Sequence, residues 1–104
     1  MGYYTRHNLS VIDGDQNLIK EFREFSEYAK YAIDDFGRCE ESSKWYSHQT
    51  ELKEFSVLHP NVLFKLDGEG EENGDMWHEY YKNGKLQICK ASIVYDDFDP
   101  ALLK

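Results

Sequence analysis

The sequence predicts an α+β fold, an antiparallel sheet of four or five strands with two helices packed on one face. Three observations predict it. Side chains alternate between Tyr3 and Ile12, apolar residues recur at spacings of three and four from Leu18 to Phe36, and an Asn83-Gly84 pair joins two aromatic-rich runs near the end.

In the first run, Tyr3, Thr5, His7, Leu9 and Val11 share one face, while Tyr4, Arg6, Asn8 and Ser10 share the other. A period of two marks a half-buried strand. Asp13-Gly14 ends it, and Asp13 followed by Gln16 fits a capping box. Leu18, Ile19, Phe22, Phe25, Ala29, Ala32, Ile33 and Phe36 then predict a broad apolar stripe on one helix of about 20 residues. Gly37 is its natural stop. Residues 38–44 are polar, and Lys44-Trp45-Tyr46 forms either a short strand or a loop anchored by two rings. Ser47 is placed to cap a second helix carrying Leu52, Phe55 and Leu58, which Pro60 terminates.

The last third reads as a meander of strands. Val62 to Leu66 forms one, and Asp67 to Gly74 is an acidic, glycine-rich flexible connection. Met76–Lys82 and Leu86–Tyr95 follow, joined by Asn83-Gly84, because a type I′ turn needs two residues that tolerate positive φ. That two-residue loop sets the register, pairing Tyr81 with Leu86, Glu79 with Ile88 and Trp77 with Lys90. The face bearing Met76, His78, Tyr80, Cys89, Ile93 and Tyr95 suits a core. The opposite face, with Trp77, Glu79, Tyr81 and Lys90, suits an exposed binding surface, although the same register permits the reverse. Asp99-Pro100 is expected to start a final helical turn.

With 104 residues the chain has the length of one domain, 1–104, and 15% aromatic residues supply large rings for a core. Twenty acidic against 12 basic residues give a net charge of −8. That balance disfavours direct nucleic-acid binding, which depends on Lys and Arg displacing counterions, and favours a basic protein partner. Cys39 and Cys89 form no CxxC pair and read as free thiols in a reducing cytoplasm. No apolar stretch suits a signal or a membrane span, so a cytoplasmic location away from membranes is expected. A homodimer stays open.

The titratable residues assemble into no recognisable reactive set. His78 opposite Cys89 is half of a zinc site, whereas a structural zinc needs four ligands. Asp67-x-Glu69-x-Glu71 alternates but lacks EF-hand spacing. Gly68-x-Gly70 with Gly74 has no Lys or Arg between Asp67 and Glu79 and precedes a strand, which excludes a phosphate cradle. The expectation is a non-enzyme with no catalytic residues, metal or cofactor. Partner binding is assigned to Asp67, Glu69, Glu71, Glu72, Asp75, Trp77, Glu79 and Tyr81, where carboxylates flank rings of the kind that anchor interfaces. A rival reading is a small-ligand or nucleotide sponge, whose aromatic pocket would gather His78, Arg6 and Lys90.

The run from Lys44-Trp45-Tyr46 to Leu63-Phe64-x-Leu66-x-Gly68-Glu69-Gly70-Glu71-Glu72-x-Gly74-Asp75-x-Trp77, followed by Tyr80-Tyr81 and Asn83-Gly84-Lys85, resembles a family of small proteins encoded by phages and prophages. The likeness covers the last 60 or so residues and is loosely similar in layout to ferredoxin-like phage proteins. It carries no catalytic residues with it. What it implies is a phage context, in which small acidic proteins act as anti-defence, anti-CRISPR-like inhibitors of host proteins in the bacterial cytoplasm.

Overall fold

The computed structural model of the protein describes residues 4–26, 28–39, 41–71, 74–91 and 97–103. Four strands, β1 (Thr5–Asp13), β2 (Leu63–Gly70), β3 (Met76–Lys82) and β4 (Lys85–Lys90), pair antiparallel in the order β1-β2-β3-β4. The long connection between β1 and β2 holds α1 (Leu18–Phe25), the single-turn α2 (Ala29–Ala32) and α3 (His48–Leu58). These lie over one face of the sheet. The result is the α+β arrangement the sequence predicts, an open antiparallel sheet with a helical layer, in the broad layout of a ferredoxin-like variant.

Cross-strand pairing builds three rows on the helix-covered face. Val11, Phe64, Tyr81 and Leu86 form the first, and Leu9, Leu66, Glu79 and Ile88 the second. The third is His7, Gly68, Trp77 and Lys90. The first two meet Leu18, Ile19 and Phe22 of α1 and Leu52 and Phe55 of α3 to make the core. Phe55 lies 5.6 Å from Phe64 and 5.2 Å from Phe22, ring centre to ring centre, so the core is closed by tilted aromatic pairs.

The long predicted helix is instead two helices, because Ser26 interrupts it. Its backbone is extended, and its Oγ accepts hydrogen bonds from the Tyr28 and Ala29 amides at 3.2 and 3.0 Å. A serine hydroxyl offers the chain this local alternative to the helical ladder. Trp45 and Tyr46 lie in a loop, preceded by an isolated bridge between Thr5 and Ser43. Gly37, at φ +83°, crosses β1 so closely that a Cβ would stand 1.9 Å from the Leu9 carbonyl oxygen.

The acidic connection is shorter than its composition predicts. Asp67–Gly70 continues β2, with Asp67 between Asn8 and His78 and Glu69 between Arg6 and Met76. Two flanking strands supply the hydrogen bonds that hold these residues extended. The β3–β4 register is the predicted one, and Asn83 and Gly84 have φ of +48° and +77°. That turn is fixed to α3, since the Gly84 amide donates to Ser56 Oγ at 2.8 Å. Ile93 and Tyr95 lie outside the described residues. The final turn forms over Pro100–Leu102, with Asp99 accepting from the Ala101 amide.

The two faces of the β3–β4 hairpin are exchanged relative to the preferred expectation. Trp77, Glu79 and Tyr81 point under the helices, whereas Met76 and His78 are exposed. The physical reason is β1, whose apolar Leu9 and Val11 share a face with His7 and, through β2, with Glu79 and Tyr81. No described helix is long and apolar enough to cross a membrane.

Candidate functional site

Where the third row runs out from under the helices, a cleft of about 410 Å3 opens between the sheet and the start of α3. His7, Trp77 and Glu79 line its sheet side, together with Ile88 and Lys90, and Trp45, Tyr46, His48 and Gln49 line the other. Thr5, Ser43 and Asp75 complete the rim. Each wall has a sequence cause. Gly68 leaves the space that the Trp77 indole fills, because a Cβ there would stand 2.1 Å from the ring. On its other side, Trp77 is stacked by His48 at 5.2 Å and 13°. Glu51 holds Trp45 by accepting from its indole nitrogen at 3.3 Å, and also accepts from the Ser26 and Ser47 hydroxyls.

The centre of the cleft is the Glu79 carboxylate, 2% exposed. Tyr81 donates its hydroxyl to Oε1 at 2.5 Å, and Gln49 donates its amide to Oε2 at 2.7 Å. His48 Nδ1 stands 2.9 Å from Oε1. Burial pushes the Glu79 acid upward, but the contacts from His48, Tyr81 and Gln49 more than offset it, so the group titrates below the ordinary carboxylate range. Burial and the neighbouring Glu79 in turn raise the Tyr81 hydroxyl, which stays a donor. Among the described residues, no Lys or Arg forms an ion pair with Glu79.

His7, 1% exposed, stands with its ring centre 5.6 Å from His48 and 5.3 Å from Trp45. Burial, and then the charge of His48, lower it to about 4 against partial opposition from Glu79, so it is neutral near pH 7. Its Nδ1 has no hydrogen-bond partner among the described residues, and neither does the Ser43 hydroxyl. Both residues line this one cleft. Buried polar atoms are nearly always paired, so two such atoms at one opening mark a place suited to a bound polar group.

The residues expected to form one patch separate onto two faces. Asp67 and Glu69 lie on the outer face, where Lys65 and His78 approach Asp67 at 3.6 and 3.4 Å. Glu71 is exposed and accepts from the Tyr4 amide, while Glu72 lies outside the described residues. Asp75 and Trp77 reach the cleft, Glu79 is its buried centre, and Tyr81 is wholly enclosed behind it. Glu79 and Tyr81 thus belong to no outer surface patch: Tyr81 is interior, and Glu79 lines only the cleft. The trio His78, Arg6 and Lys90 does not converge either, since only Lys90 is on the cleft side. His78 and Cys89 do face each other across the outer surface, and no group of described residues is arranged to hold a metal. His7 and His48 were not foreseen. The available signals were a histidine in register with Leu9 and Val11, and a glutamate alternating with Trp77 and Tyr81.

No family model, curated protein or solved structure matches the chain.

Proposed function

We propose that the protein works by binding rather than by catalysis, as an acidic phage-type inhibitor that occupies a basic surface of a bacterial host protein in an anti-defence role. The observation that carries this reading is the net charge of −8 together with exposed Glu69 and Glu71 at the β2 end. Lys65 and His78 approach Asp67, and among the described residues neither Glu69 nor Glu71 forms an ion pair. Negative potential steers a basic partner and suppresses anionic ones. The test is capture from host lysate at low and high salt, comparing the wild type with Glu69→Lys/Glu71→Lys/Glu72→Lys. Capture that fades with salt and fails in the triple variant supports the reading; capture indifferent to both overturns it.

A second reading has its own observation, the cleft whose His7 Nδ1 and Ser43 Oγ have no partner among the described residues. It makes the protein a sponge for a small ligand such as a signalling nucleotide. At about 100 times its dissociation constant, a true ligand adds ~2.7 kcal/mol of stability, which a thermal melt with nucleotides detects.

A further inference from the structure

The geometry points to the cleft as the receptor for one guanidinium group, the side chain of an arginine on the basic partner. This rests on the binding reading above and names the contact at its centre. Glu79 places a carboxylate 2% exposed at the floor with no Lys or Arg paired to it among the described residues. Burying a carboxylate is costly unless a cation or several hydrogen bonds compensate it. Tyr81 and Gln49 donate to the two oxygens and His48 Nδ1 stands 2.9 Å from Oε1, so the group is fixed in place with an imidazole as its basic neighbour.

The remaining groups fit a guanidinium better than an ammonium or an anion. A guanidinium carries five N–H donors in a planar fork and has no acceptor. Among the described residues, His7 Nδ1 and the Ser43 hydroxyl oxygen have no hydrogen-bond partner. Beside them stand the indole of Trp45 and the phenol ring of Tyr46, surroundings that favour a flat, weakly hydrated cation. A volume of about 410 Å3 lies within the roughly 300–1,000 Å3 typical of sites for small organic groups. Phosphate and carboxylate ligands meet Glu79 and Asp75 and are repelled. Lys90 at the rim opposes a cation, which makes it a useful control.

The experiment titrates the intact protein with N-acetyl-arginine methylamide, its uncharged citrulline counterpart and free arginine, following the indole N–H resonances of Trp45 and Trp77. The expected result is a saturable shift of both signals with the arginine amide, at least about tenfold weaker with citrulline. Glu79→Gln, with its folding checked by thermal melting, should weaken binding by a similar factor. Lys90→Gln, a rim change that leaves the fold alone, should strengthen it. Equal binding of citrulline, or no strengthening in Lys90→Gln, overturns the assignment even if Glu79→Gln does not fold. Tighter binding of free arginine than of the blocked amide overturns a protein-borne source. Salt-sensitive lysate capture without arginine-amide binding removes this inference and leaves the binding reading standing. Arginine-amide binding without such capture does the reverse.

Discussion

Val11, Phe64, Tyr81 and Leu86 at one end of the sheet, and His7, Gly68, Trp77 and Lys90 at the other, are rows built on the same strands four residues apart. The first row is sealed by Phe55, and all its members but Leu86 are buried. The second holds a neutral histidine with a nitrogen unpartnered among the described residues, and it opens into a cleft. Only the first resembles an interior built for stability. The middle row, where Leu9 and Leu66 give way to Glu79, is the boundary between them. A chain that wanted only to fold has no reason to place a carboxylate there, since apolar residues of similar volume stabilise as well or better.

The comparison can be broken most forcefully at Phe64. Phe64→Ala should cost about 3–5 kcal/mol, read as a lowered urea midpoint, because the ring is wholly buried among other rings. A loss no larger than that of an exposed substitution would remove the distinction between the two ends.

Acidification comes next. The folded state holds His7 at about 4 against an ordinary 6.5, so the unfolded chain takes up this proton first as pH falls. Stability is therefore full above about 6.5 and lost progressively toward 4, by an amount on the order of 3 kcal/mol. Glu79, depressed from 4.5, acts in the same direction: its contribution is present above 4.5 and disappears as pH drops through its lower folded value. Urea denaturation across this range should show the slope. His7→Leu should flatten its upper part, and an unchanged slope in that variant would refute the role given to His7.

Gly68→Ala sharpens the comparison from the other side. The new methyl must displace the Trp77 indole, at a cost of about 1–3 kcal/mol. It should change tryptophan fluorescence more than Phe64→Ala does relative to the stability lost. The smallest effect is expected from Tyr81→Phe, which removes one hydrogen bond to Glu79 and should cost about 1–2 kcal/mol. It should also raise the folded-state value of Glu79, narrowing the pH range over which its contribution is lost.

Much of the fold is legible in the residues. Period-two alternation locates β1, and Asn83-Gly84 locates a hairpin whose register follows from the turn alone. The break at Ser26 was hidden because the apolar spacing continues unchanged through it. What stops the helix is a hydroxyl that accepts from two amides ahead of it in the chain, and that leaves no periodic trace. Acidic glycine-rich composition likewise concealed the strand Asp67–Gly70, since its extended form depends on pairing with distant Asn8 and His78. The cleft was legible only in part. Trp77, Glu79 and Tyr81 stood out, but which face they occupied depended on β1, and His48 joins them only through the docking of α3.

The bond from the Gly84 amide to Ser56 has one more consequence. It pins one end of α3 to the hairpin, while His48, at the other end of the same helix, forms a wall of the cleft. From Ser56 to His48 is about 12 Å of helix. The wall of the cleft is therefore positioned from two ends of one rigid element, by the turn at Ser56 and by Glu79 beside His48.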